Sequence, residues 1–328
     1  MTKPSVKPAR WNPPAPAASG RPTEPANLRV FSTSGYGAED VLVRADGHVL
    51  TGVEDGRLLA IDPATGAESV MAHTHGRPLG IEHHPAGGYV VCDSTRGLLH
   101  VGDDGGVAVL ADSFEGARFV FCNNAGVAAD GTIYFTDSST KFGFEHWRGD
   151  LLEHRPTGRL FRRDPDGTLT VLADGLAFAN GVALAADESF VVVAETASYA
   201  LRRVWLTGER AGTVEPFGPT LRGFPDNIST GEDGNIWIAI ASPRDRTLDV
   251  LLPRAPWIRS VVWTLPQRLQ PQPKSVIHIQ AYAPDGMLVH DIAGAHDRFG
   301  KPTGVRQVGR EVWMGSFEQT TIAVFDLP

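Results

Sequence analysis

"FCNNAGVAADGTIYFTDSS", residues 121–139, sets two short apolar runs on either side of a tight-turn signal, Asp130-Gly131. Apolar runs of that length around Asp-Gly predict a β-hairpin. The first run opens on two adjacent amides, Asn123 and Asn124, where buried strand residues ought to begin. A buried amide there costs free energy unless something uses its oxygen.

The hairpin recurs along the chain. "RADGHVLTGV" (44–53), "PAGGYVVCDS" (85–94), "AADESFVVVAET" (185–196) and "GEDGNIWIAIAS" (231–242) repeat it, and "VGREVWMGSF" (308–317) keeps the strand without the Asp. The copies fall about 41, 43, 57, 46 and 76 residues apart, near a four-stranded-blade period apart from two insertions. Most are followed by a second hairpin, as in "GRLLAIDPATGA" and "GRLFRRDPDGTL". Such a unit cannot bury both faces alone, so six copies predict an all-β, six-bladed β-propeller. A β-sandwich, the alternative, has no reason to repeat one hairpin signature six times.

The repeat register also accounts for the amides. Seven residues before the turn position stand Glu39, Leu79, Asn123, Asn180, Asp226 and Pro302. In a propeller these lie on one ring around the axis. Four of the six carry a side-chain oxygen, two of them carboxylates. Such a set suits a hard cation, Ca²⁺, which takes 6–8 oxygens; zinc would want His or Cys, absent from the ring. The alternative, strand-end capping by Asn and Asp, explains one such residue better than four in register.

Length and composition bound the rest. The chain has 328 residues, 42% hydrophobic, with 36 Gly and 24 Pro and a formal net charge of −8. With no cationic run longer than a pair, nucleic-acid binding is not expected. Cys92 and Cys122 do not make a disulfide framework; two buried thiols are expected, a single bridge being the alternative. Residues 1–27 form a proline-rich arm without the apolar core of a secretory signal, and 28–328 the propeller. No run approaches a membrane span, so a cytoplasmic protein is expected.

One stretch breaks the β-rhythm. "LLPRAPWIRSVVWTLPQRLQP" (251–271) sets Trp257, Ile258, Val261, Val262 and Leu265 on one helical face, with Pro256 suited to a first turn. This predicts a helical lid inserted in blade five, about residues 243–275, with Trp257 lining an apolar pocket. A membrane-surface or partner-binding helix is the alternative, since Arg254, Arg259 and Arg268 flank it. His73, His75, His83 and His84 cluster in blade two as solvated turn residues. His75 and Arg77 precede the channel position Leu79 and are candidates to reach a substrate.

"NNAGVAADGTIYFTDSS", "RPTGRLFRRD", "ANGVALAADESFVVVAET" and "GFPDNISTGEDGNIWIA" resemble the strictosidine synthase-like branch of the calcium-dependent six-bladed propellers, a superfamily that includes gluconolactonase, regucalcin and the paraoxonases. The likeness spans roughly residues 28–328. It implies calcium ligands at Glu39, Asn123, Asn180 and Asp226, with Asn227 an additional ligand as in the paraoxonase branch, and Asn124 where the family usually has Asp. Two departures narrow the chemistry. Leu79 stands where paraoxonases have a histidine, and no acid lies between Arg298 and Arg310, near where strictosidine synthase has its glutamate.

What remains is a calcium-dependent hydrolase of a lactone or carboxylic ester, the cation polarising the carbonyl and a carboxylate activating water. Asp226 is the first candidate for general base and Glu39 the second; Asn123 and Asn124 would position a substrate of apolar character. A non-catalytic binding scaffold with structural calcium is the alternative, and a strictosidine synthase-type condensing enzyme a third.

Overall fold

The computed structural model describes residues 3–18, 20–270 and 272–327; Met1, Thr2 and Ser19 of the arm, Pro271 within the blade-five insertion and Pro328 lie outside the described residues. Six four-stranded antiparallel sheets, with sequential strands as neighbours in five of them, make the six-bladed propeller. The innermost strands are Val41–Val43, Pro78–His83, Cys122–Val127, Ala179–Leu184, Gly223–Thr230 and Gly304–Val308. The turns joining them to the next strand carry the repeat. Asp46, Asp130, Asp187 and Asp233 each accept the backbone N–H two residues on, at 2.8–3.0 Å. Gly131 follows its Asp at φ +89°, a conformation glycine adopts without a Cβ penalty.

The sixth blade is completed from the other end of the chain. Its outer strand is Ala26–Ser32, paired antiparallel with Thr321–Asp326. The first two residues of that strand fall within the stretch expected to be arm. Arg29 pairs with Glu311 and Asn27 Nδ2 donates to Asp326 Oδ2 at 2.9 Å, so the closing strand is fastened by side chains too.

Between blades the sheets pack face to face through apolar side chains. Val192, Ala194, Ile236 and Ile238 fill one such interface; Phe119, Phe135 and Phe161 fill another with Cys92 and Cys122. Each fully buried large side chain contributes on the order of 1.5–3 kcal/mol. Both cysteines are free and buried.

Two blades carry insertions between their second and third strands. In blade three the insertion holds α1, Trp147–Glu153, a helix the sequence pattern gave no sign of. In blade five it holds α2, Arg246–Arg254, and α3, Pro256–Thr264, where one helix was expected. Asp245 caps α2 by accepting from Leu248 N at 2.8 Å, and Ala255, non-helical at φ −135° and ψ 70°, separates it from α3, which starts on Pro256.

The arm does not stand free. Ala9 N and Trp11 N donate to Glu153 O and Leu252 O at 2.8 and 3.2 Å, and Trp263 Nε1 donates to Pro4 O at 2.7 Å. Arg259, fully buried on α3, donates to Leu152 O at 2.7 Å, to Leu252 O at 3.3 Å and to Ala9 O. One guanidinium thus ties together the arm and both insertions. Among the described residues no helix is long and apolar enough to cross a membrane.

Candidate functional site

The innermost strands are irregular just where the ring residues stand. Register shifts fall between Pro78 and Ile81, Cys122 and Ala125, Ala179 and Val182, and Pro225 and Ile228. Leu79, Asn123, Asn180 and Asp226 each sit inside one of these bulges. A bulge leaves a residue unpaired and re-aims it, which is how polar side chains reach the axis from strands that are otherwise apolar. Glu39 precedes the first innermost strand of the ring. Glu39, Asn123, Asn180 and Asp226 are all buried, the most exposed being Asp226 at 9%, and all four line one cavity of about 180 Å³.

Within the ring, the amide nitrogens are satisfied and the amide oxygens are not. Asn123 Nδ2 donates to Ser138 Oγ at 2.9 Å; Asn180 Nδ2 donates to Thr196 Oγ1 at 3.1 Å and to Asp226 Oδ1 at 2.9 Å. Glu39 Oε2, Asn123 Oδ1 and Asn180 Oδ1 are buried without any hydrogen-bond partner. Each orphaned acceptor costs on the order of 1–3 kcal/mol. Asn227 is buried with both its amide atoms unpartnered, but is not among the residues lining the cavity.

The two carboxylates report the same imbalance. Burial pushes Asp226 up to about 7, with the Asn180 amide opposing. Burial also raises Glu39 well above the carboxylate range, the Arg77 guanidinium pulling it down and Asp226 pushing it further up. Two buried acids facing each other and a set of lone-pair oxygens without donors fit a hard divalent cation, which would relieve both at once. Among the described residues no three His, Cys, Asp or Glu side chains gather into a metal-holding group; the donors here are two carboxylates and amides.

Other expected residues take different places. Asn124 does not face the cavity: its Oδ1 accepts Val182 N at 2.9 Å, as Asp40 Oδ2 accepts Ile81 N at 3.0 Å. Both residues follow a ring position and lock one blade to the next. Leu79 is fully buried in an apolar cluster with Phe121 and Phe178, leaving its part of the ring without a donor. Arg77 is buried against the Phe144 ring at 4.9 Å and acts on Glu39 through its charge. His75 is exposed and stacks on His73 at 4.3 Å, so it does not reach the cavity. Trp257 is 70% exposed, because α3 turns Arg259 and Trp263 inward and leaves Trp257 and Val261 outside.

An apolar pocket under the blade-five insertion was expected, and that insertion's Leu248, Leu251 and Val262 line the cavity; the aromatic part of the wall was not. Two residues before the ring positions of blades three, four and five stand Phe121, Phe178 and Phe224, and all three line the cavity. They form an aromatic collar, and the repeat register that found the ring could have found it. Above them the insertions add Trp147, Arg148 and Leu151 from α1 and Leu248 and Leu251 from α2. Apolar walls over a polar floor are the usual build of a small-molecule site.

A sequence model of the strictosidine synthase family matches residues 123–209, which span the ring positions of blades three and four. Protein strictosidine synthase-like 13 of Arabidopsis thaliana is 33% identical over 282 residues, covering 84% of this chain and 67% of that protein. The adipocyte plasma membrane-associated protein of Rattus norvegicus is 32% identical over 308 residues, 83% of this chain and 81% of that one. Among solved structures, a gluconolactonase from Xanthomonas campestris superposes with a TM-score of 0.66 at 18% identity, covering 100% of this chain and 99% of that one. A calcium-binding regucalcin from Agrobacterium tumefaciens superposes at 0.65 and 14%, covering 94% and 96%. At those identities the structural likeness shows the fold alone.

Proposed function

The chain belongs to the strictosidine synthase-like family of six-bladed propellers, and from that footing we propose that it is a calcium-dependent hydrolase of a lactone or carboxylic ester. The observation that carries the reading is the set of buried, unpartnered oxygens of Glu39, Asn123 and Asn180 lining one cavity with Asp226. Glu39, Asn123, Asn180 and Asp226 would hold the ion, with Asn227 beside them. When bound, Ca²⁺ supplies Lewis-acid polarisation of a carbonyl oxygen and offsets the charge that develops on it.

The chain's own residues do the rest. Ser138 and Thr196 fix the two amides so that their oxygens keep one orientation. Asp226, with Oδ1 held by Asn180 Nδ2, takes a proton from water on its second oxygen; Glu39 is the other carboxylate of the ring. Phe121, Phe178 and Phe224 keep bulk water from the reacting carbonyl and seat an apolar substrate.

The test uses chelator-stripped protein, a panel of lactones and aryl esters, and calorimetric titration with Ca²⁺. Calcium-restored turnover is expected. Calcium binding in folded protein with silence across the panel would instead favour a binding scaffold whose calcium is structural.

A further inference from the structure

The upper wall of the cavity carries positive charge that the hydrolytic reading does not use. Arg148 projects from α1 and lines the cavity beside Trp147 and Leu151. Its Nη2 donates to Gln272 Oε1 at 2.9 Å and lies 3.7 Å from Glu318 Oε1. Its Nε and Nη1 are buried and donate to nothing. Lys301, also in the cavity wall, pairs with the other oxygen of the same Glu318. Two cations therefore share one carboxylate, and the trio carries a net charge of about +1. The Lys301 backbone is held at φ +54°, uncommon for a residue with a Cβ, and Lys301 N donates to Val276 O at 2.9 Å.

A guanidinium edge buried without an acceptor in a residue of an apolar cavity wall is costly without a ligand, since buried charged donors lose water and gain no partner in exchange. The nearby cation Arg244 differs: Asp249 answers it at 3.0 Å. Among the described residues of the wall, Arg148 alone presents two buried nitrogens without an acceptor together with surplus charge; Arg259 leaves one. Guanidinium N–H pairs match the two oxygens of a carboxylate.

We propose that Arg148, supported by Lys301, forms a carboxylate-binding subsite, so that the substrate is an amphipathic anion: an apolar body lying along the Phe121–Phe178–Phe224 collar and Leu151, with a carboxylate at the end away from the ring. Arg148 is then a specificity-determining residue, and Glu318 tunes it by competing for the guanidinium. The proposal rests on the hydrolase reading for its assay, though not for its binding arm.

Two compounds decide it: a γ-lactone whose apolar arm ends in a carboxylate, and the same lactone ending in a carboxamide. With calcium present, the acid is expected to be preferred by about ten- to a hundredfold in kcat/KM, mostly through KM, the scale of a charge-assisted hydrogen bond. Arg148→Gln should bring the acid-to-amide ratio near one, and Arg148→Lys should keep part of it. Glu318→Gln should raise the ratio, an effect that misfolding cannot imitate. Equal handling of the two compounds by the unaltered protein would overturn the subsite.

If neither compound turns over, the hydrolase reading fails and binding decides the subsite by itself. Decanoate should then quench tryptophan fluorescence, Trp147 lining the cavity, at least tenfold more tightly than decanamide. That preference should vanish in Arg148→Gln. Equal binding of the two, or a preference unchanged in the variant, would overturn the subsite.

Discussion

Asn180 shows at one side chain how the ring is built: both hydrogen bonds use its nitrogen, and the oxygen is left over. Asp226→Asn keeps the shape of its neighbour while removing a charge, so calcium affinity and turnover should both fall by on the order of a hundredfold or more, read by calorimetry and initial rates. A retained affinity would move the ion away from this ring. Gly181, next to Asn180, gives an independent probe. A Cβ there would lie 2.3 Å from Ile228 N and 2.6 Å from Asp226 O, inside backbone contact distance. Gly181→Ala should therefore force blades four and five apart and weaken calcium binding although every donor remains. Its thermal midpoint should drop as well, by the several degrees typical of a strained core substitution.

At the scale of elements, the hairpins were legible because Asp-Gly turns and apolar alternation are local signals, and the ring followed from their spacing. The aromatic collar was equally periodic, at two residues before Asn123, Asn180 and Asp226, but phenylalanines in a core-forming strand attract no notice. Helix α1 was invisible for a different reason: seven residues give too few turns for a 3.6-residue period to declare itself. Trp257 was misplaced because the inward face was chosen by apolar content, whereas α3 turns inward Arg259 and Trp263, which bind the arm's carbonyls, and leaves Trp257 and Val261 outside. The arm's docking was illegible too, being made by main-chain groups such as Pro4 O and Ala9 O that no side-chain pattern announces. Arg259→Met should release it. Three carbonyls lose their donor, a cost of about 3 kcal/mol, and the amides of Ala9 and Trp11 should begin to exchange with deuterium while the blade amides stay protected. Unchanged exchange at those two amides would mean the arm is held without Arg259.

For the whole molecule, the buried acids set how stability answers pH. Asp226 and Asp150 are pushed by burial up to about 7 and Asp40 up to about 6, against an ordinary 3.8. Groups raised in the folded state contribute most below their unfolded value and lose that contribution as pH climbs through the folded one. His154, lowered by burial to about 4, works the other way below its ordinary 6.5, one group against three. Calcium-free protein should therefore melt at lower temperature at pH 8 than at pH 5. Added Ca²⁺, which needs Glu39 and Asp226 ionised, should raise the midpoint far more at pH 8. A chelated protein whose midpoint rises with pH would contradict this account. The strand that closes the ring carries a consequence of timing. Ala26–Ser32 is made well before its partner Thr321–Asp326, with about 290 residues of chain synthesised between them. At ~5–20 residues per second that is a wait of roughly 15–60 s, with a bare strand edge open to any passing chain. A nascent chain halted at residue 320 would hold all six innermost strands and still have nothing to join its two ends.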